Sequence, residues 1–296
     1  VNFITTLLFA VHPNNVEAVA WISALKVLLY AFFYLLGLLC YLRYIRTSKI
    51  FYYVLTIGCF LCSFWGKEQA VTFPLALLIV DWFTNRNMKN LEVWSEKMSF
   101  LIMAFFFGII TVLSQGKGPY EMIFPLYQRL LFGCFALVEY ITKSLLPVNL
   151  NFFYPFPIVL GEEPPLHYYL YPVVLLFLMG WIIAYRNNRY LVFGVLLFLV
   201  NLLFSIHLFN MSRHAIVADR YMYLSYVGIA FLIANGIWWL RKRLSYFKAA
   251  LVFLFFYCFF LSVYTFHYTK KWENTTMVKK YTKEVLEKRL NGSNHL

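Results

Sequence analysis

Lys26–Tyr44 reads KVLLYAFFYLLGLLCYLRY, and between Lys26 and Arg43 it carries no charge. At 1.5 Å per residue those residues form a helix about 28 Å long, close to the thickness of a bilayer's hydrocarbon core. The stretch has no alternation of polar and apolar positions, so it is not a barrel strand. Backbone groups in lipid must be satisfied within the segment, which leaves a membrane-spanning helix.

Working outward, similar runs recur along the chain. Phe51–Trp65, Val71–Phe83, Met98–Ser114, Tyr168–Tyr185, Tyr190–Phe209, Met222–Leu240 and Lys248–Tyr268 are all apolar. With Lys26–Tyr44 they predict about eight complete spans. The first run, Val1–Val11, is too short to span and reads as the end of a helix, so the chain is expected to be a fragment. It has no basic segment or cleavage site of a signal peptide. The expected fold is an all-α, polytopic transmembrane helical bundle. Arg129–Pro147 carries Arg129, Glu139 and Lys143, and predicts a helix lying in the outer interface, with Glu139 and Lys143 paired at i,i+4.

Composition agrees. Only 13% of the residues are charged, against about a quarter in soluble domains, while 62% are hydrophobic. The net charge of +13 does not imply nucleic acid, because Lys and Arg mostly lie in short loops between apolar runs, where they set topology and meet anionic lipid. One set of loops holds Arg43, Arg46, Lys49, Arg86, Lys89, Lys97, Arg186, Arg189, Arg241, Lys242, Arg243 and Lys248; the richer set is expected to be cytoplasmic. The opposite loops hold seven basic residues, and the tail after Tyr268 adds seven more on that side. Cys40, Cys59, Cys62, Cys134 and Cys258 lie in or beside apolar segments and read as small packing residues, the C-x-x-C of Cys59 and Cys62 included.

The loops on the less basic side gather ionisable residues at helix ends: His12, Glu17, Lys26, Lys67, Glu68, Glu121, Arg213, His214, Asp219 and Arg220. Such groups are costly near lipid and tend to face protein or a wet cavity, where they often serve function. Each one singly also reads as a loop charge or helix anchor. In the corner His12-Pro13-Asn14-Asn15-Val16-Glu17, Pro13 permits a helix start, and Glu17 in its first turn could act as a base, hold a cation or cap. Lys67 could neutralise a phosphate or snorkel. Arg220 presents a bidentate fork to phosphate or carboxylate, and Asp219 could pair with a base. No metal-ligand spacing and no glycine-rich phosphate loop is present. Asn210-Met211-Ser212, Asn274-Thr275-Thr276 and Asn291-Gly292-Ser293 match the glycosylation sequon.

Several of these stretches carry a resemblance. Leu8–Pro13, Glu17–Ser23 and Leu42-Arg43-Tyr44, then Lys67–Val71 with Pro74 and Asp81, then Phe153-Tyr154-Pro155, then Asp219–Leu224 with Gly228, form an ordered series over nearly the whole chain. It resembles the membrane region of the transmembrane and tetratricopeptide-repeat protein O-mannosyltransferases and their bacterial relatives. The resemblance implies a GT-C type fold that moves a mannose-like sugar from a polyprenyl-phosphate donor to a protein or other hydroxyl acceptor on the lumenal or periplasmic face. It implies residence in the endoplasmic reticulum or a bacterial inner membrane, with membrane lipid, the lipid-linked sugar and a protein acceptor as partners and no nucleic acid. It divides the chain into a transmembrane domain at 1–268 and an extracytoplasmic tail at 269–296 where repeats would begin, with an upstream acidic loop missing. In that family the missing loop usually supplies the key carboxylate; the clustering on one face, taken with the motifs, makes Glu17 the surviving acid and points to Glu17 and His12 for catalysis and Lys67, Glu68, Arg213, Asp219 and Arg220 for substrate, with a divalent cation left open. Ala24, Leu25, Lys26 and Val27 stand where the family commonly reads Gly-Arg-x-acid, and Ser225 where Pro is usual. The lost charges motivate an alternative, a non-catalytic membrane scaffold presenting repeats; a transporter of lipid-linked sugars is a third reading, whose sign, broken helices at mid-membrane, is not seen in the sequence.

Overall fold

The computed structural model describes residues 1–114, 124–207 and 215–293. Twelve α-helices follow in order: α1 (Asn2–Val11), α2 (Val16–Ala20), α3 (Leu25–Thr47), α4 (Ile50–Gly66), α5 (Phe73–Phe83), α6 (Leu91–Ser114), α7 (Leu126–Leu145), α8 (Leu170–Ala184), α9 (Arg189–Leu202), α10 (Met222–Trp239), α11 (Leu244–Lys270) and α12 (Thr275–Ser293). Among the described residues β pairing is limited to one isolated antiparallel bridge, Tyr154 with Val217. The chain is an all-α helical membrane bundle.

Among the described residues five helices, with their flanking 3₁₀ turns, are long and apolar enough to cross a membrane: Ile22–Thr47, Leu91–Thr111, Leu166–Ala184, Asp219–Lys242 and Leu244–Lys270. Asn2–Val11, Ile50–Gly66 and Arg189–Leu202 are apolar but shorter. α4 stops at Gly66, and the run after it is divided between a 3₁₀ turn, Glu68–Thr72, and the 11-residue α5.

Local chemistry explains the helix ends. Ser48 takes the left-handed conformation, φ 54°, and its amide bonds the Tyr44 carbonyl, which closes α3 and turns the chain into α4. The Asn188 side chain accepts from the amides of Tyr190 and Leu191 and caps α9. Close helix approach needs small residues: a Cβ on Gly228 of α10 would lie 2.5 Å from the Gly194 carbonyl oxygen of α9. The expected helix at Arg129–Pro147 appears as α7, with Glu139 and Lys143 3.6 Å apart. Its buried face, Gln128, Leu131, Phe132, Ala136, Tyr140, Lys143 and Ser144, repeats at helical spacing. No residue of α8 is buried, and Phe253, Phe255, Phe256 and Phe259 of α11 are exposed, as lipid-facing surfaces are. The described cysteines are all free thiols.

At the basic end of the bundle a charged network closes over buried ground. Asp81 and Lys97 are fully buried and pair at 2.5 Å. Tyr41 donates to both Asp81 oxygens at 2.8 and 2.9 Å, and Lys97 also reaches Tyr41. Arg86 forks onto Glu96 at 2.6 and 2.9 Å and touches Asp81 at 3.2 Å. The network joins α3, α5 and α6, and Arg189 ties α9 in through the Trp82 carbonyl. Two acids and two bases sum to no net charge, the condition for burying them together.

Leaving one buried partner alone exposes an uncompensated charge. Lys97→Met is expected to lower stability by roughly 3–5 kcal/mol, and Asp81→Leu with Lys97→Met to recover most of it. Thermal unfolding in detergent, followed by circular dichroism, reads both outcomes; an additive double mutant would show that the pair does not act as a unit.

Candidate functional site

The corners at the opposite end of the bundle meet. Residues 12–17 lie between α1 and α3, Lys67 follows α4, and Asp219-Arg220-Tyr221 form a 3₁₀ turn that leads into α10. α10 packs on α1, and α3 pairs with α4, so their ends bring three separate sequence segments together.

Glu17 is completely buried. Its two carboxylate oxygens accept from Arg220, one from the guanidinium at 2.5 Å and one from the backbone amide at 2.8 Å. The guanidinium keeps about a quarter of its surface open. It lies 5.6 Å from the Trp21 ring centroid and 5.1 Å from that of Tyr221. The Lys67 ammonium lies over the same Tyr221 ring at 4.5 Å. Two cations therefore share one aromatic platform. Burial pushes the Glu17 carboxyl up to about 7, against the pull of Arg220.

Asp219 points into a second group. It accepts from the Tyr154 hydroxyl at 3.0 Å on both oxygens and pairs with Lys143 at 3.2 Å. The Lys143 ammonium also stands 3.5 Å over the Tyr154 ring, and the Asn151 amide donates to the Tyr154 oxygen at 2.6 Å. Burial and the adjacent Asp219 raise the Tyr154 phenol well above its usual range, so it remains protonated and donates. Asn14 completes the frame, donating to the Lys143 carbonyl at 3.2 Å and meeting the Met222 sulfur at 3.4 Å.

The sequence-derived residues thus fall in different places. Glu17 and Arg220 are bonded to each other, Lys67 stands close by on Tyr221, and Asp219 belongs to the group of Lys143 and Tyr154. Glu68 is half-buried and opens the 3₁₀ turn after Lys67. His12 is buried, stacks at 4.1 Å on Tyr226, and its Nδ1 accepts from the Asn14 amide. Burial holds its imidazole down to about 3, so the ring is neutral. Arg213, His214 and Glu121 lie outside the described residues. Of the divergent run, Ala24 and Val27 are buried and pack with Ala18 beside Trp21 and Tyr223, while Leu25 and Lys26 are exposed.

Lys143 and Tyr154 were not singled out as site residues from the sequence. Lys143 carried one visible signal, its helical pairing with Glu139; nothing local points Tyr154 at Asp219. Among the described residues no group of three or more His, Cys, Asp or Glu side chains is placed to hold a metal ion. The tail begins as part of the same surface: Trp272 and Tyr281 pack with Val16, Leu150 and Tyr268, and the Tyr281 hydroxyl donates to the Leu150 carbonyl at 3.1 Å.

No family model and no solved structure matches the chain. Three curated proteins are similar to part of it. Protein O-mannosyl-transferase tmtc2 of Xenopus laevis is 31% identical over 121 residues, which is 38% of this chain and 14% of the frog protein. Protein O-mannosyl-transferase TMTC2 of Mus musculus is 35% identical over 98 residues, and that of Homo sapiens 36% over 98; each match covers 31% of this chain and 12% of the relative. The match therefore spans about an eighth of the relatives' length. This partial likeness supports the resemblance read from the motifs, and the five long apolar helices among the described residues mark an integral, multi-pass membrane protein.

Proposed function

We propose that this end of the bundle binds the phosphate of a polyprenyl-phosphate sugar and transfers the sugar to a protein hydroxyl, as a GT-C type enzyme facing the lumen or periplasm. The observation that carries the reading is the pair of cations, Lys67 and Arg220, on the one Tyr221 ring beside the buried Glu17. A phosphate arriving between them would compete with Glu17 for the Arg220 fork. As Arg220 turns to the phosphate, Glu17 loses its counter-charge and becomes a stronger base. It would then take the proton of the acceptor hydroxyl while that oxygen attacks the anomeric carbon and the lipid phosphate departs, neutralised by Arg220 and Lys67. Asp219, held by Lys143 and Tyr154, fixes the backbone that presents Arg220. His12, neutral and enclosed, supports the corner by accepting from Asn14 and is assigned no proton transfer. Glu68 and Arg213 complete the proposed substrate-binding set, and repeats following the tail would present the acceptor.

A second reading has its own observation. Where the family commonly carries charge, Ala24 and Val27 pack into an apolar cluster. With Glu17 and Arg220 already joined, the same end could serve as a closed scaffold that carries a repeat domain without transferring sugar.

Mannose transfer from a polyprenyl-phosphate donor to a hydroxyl peptide, assayed with the protein that carries this chain, separates the two. Glu17→Gln is expected to lower kcat by about 10²–10⁴-fold, the range of a general base. Arg220→Lys is expected to raise the donor KM, because the fork is lost. Normal turnover in both variants would remove these roles, and no transfer by the unaltered protein would leave the scaffold.

The ionisation of Glu17 sets the pH dependence. A base acts deprotonated, so the wild-type kcat/KM, which follows the free enzyme, should climb as pH rises through about 7 and level off above it. The residual rate of Glu17→Gln should lack that limb; an unchanged profile in the variant would assign the titration to another group.

A further inference from the structure

The basic end of the bundle contains a cavity that the proposed reaction does not use. Its volume is about 340 Å³, and it lies between the C-terminus of α3 and the N-terminus of α6. Tyr44, Ser48, Arg86, Glu92, Ser95 and Glu96 line it.

The lining presents acceptors. Both terminal nitrogens of Arg86 are held by Glu96, and one also touches Asp81, so the single cation in the wall is already matched. The Ser95 hydroxyl donates to the Glu92 carbonyl at 2.9 Å, and the Tyr44 hydroxyl donates to Glu96 at 3.0 Å. Each thereby offers its oxygen lone pairs to the cavity. Glu92 stands in the first turn of α6, and the Asn90 side chain donates to one of its oxygens at 3.1 Å. The last carbonyls of α3, beside Ser48, add the negative end of a helix dipole. With Arg86 matched by Glu96, Glu92 leaves the lining at net −1 on an end whose loops are otherwise basic.

An acceptor-lined, net-negative cavity fits a cation that donates hydrogen bonds. A quaternary ammonium has no donors and prefers an aromatic cage, which one tyrosine does not make. A primary ammonium has three donors. We propose that this cavity binds a primary ammonium group, carried by a lipid headgroup or by a free amine. Its level in the bundle suits a headgroup: α3 and α6 belong to the candidate spans, and exposed Ile50, Phe51, Leu91 and Trp94 adjoin Ser48 and Glu92 in the chain. The site is independent of the sugar-transfer reading, since it lies at the other end of α3, about 34 Å away by helix rise.

The test is native mass spectrometry of the full chain released from micelles with equal phosphatidylethanolamine and phosphatidylcholine. Phosphatidylethanolamine should be retained about tenfold over phosphatidylcholine, the effect of one charge-assisted hydrogen-bond set. Glu92→Gln should abolish the preference, Ser95→Val should weaken it, and Glu273→Gln, an exposed carboxylate elsewhere, should leave it intact. Ethanolamine added in excess should displace the lipid if the amine alone is recognised; persistence of the lipid assigns recognition to the whole headgroup. Equal retention of both lipids, or an undiminished preference in folded Glu92→Gln, would overturn the site.

Discussion

Arg220 reaches across 203 positions of sequence to Glu17, and it does so twice, through its guanidinium and its backbone amide. The double attachment fixes a loop residue at the head of α10 to the corner that precedes α3. Inside a bilayer a charge without a partner is prohibitive, so each buried acid must find its base within the protein. Asp219, one residue earlier, turns the other way and takes Lys143 and Tyr154. Two adjacent residues therefore lock two different parts of the chain, and the meeting of α1, α3, α7 and α10 at this end follows from that division.

The same constraint operates at the other end with a different result. Asp81, Lys97, Arg86, Glu96 and Tyr41 form one continuous network that leaves little of its charge to a ligand. At the Glu17 end the charges are divided into smaller groups, and cations stay near a partly open surface around Tyr221. The first arrangement is a clasp. The second is the arrangement the proposal builds on, since a phosphate would offer Arg220 the same bidentate acceptor as a carboxylate. That contrast is why the sugar-transfer proposal rests on one end only.

Some of this was legible in the residues and some was not. The uncharged interior of Lys26–Tyr44 and its counterparts predicts helices and a membrane, and the helices are there. The shape of the turn after Gly66 was less legible, since hydropathy does not see that a 3₁₀ turn takes up Glu68–Thr72. Glu139 and Lys143 announce themselves four apart on a helix. Tyr154 does not announce its bond to Asp219, because it sits in an irregular stretch and the contact crosses 65 positions that include α8 and α9. His12 as a lone histidine at a corner is ambiguous by sequence, and its burial against Tyr226 shows a neutral ring.

The sequence alone determined the solvent of this protein: runs of apolar residues long enough to satisfy their own backbone bonds require lipid, and loops that end in charge mark the two surfaces. It also placed ionisable residues at helix ends, since lipid tolerates them nowhere else. Which acid meets which base was decided by tertiary structure, because ion pairing acts over a few ångströms in space and is blind to separation along the chain. Glu17 and Asp219 are each an acid near a helix start by sequence; packing gave one to Arg220 and the other to Lys143 and Tyr154.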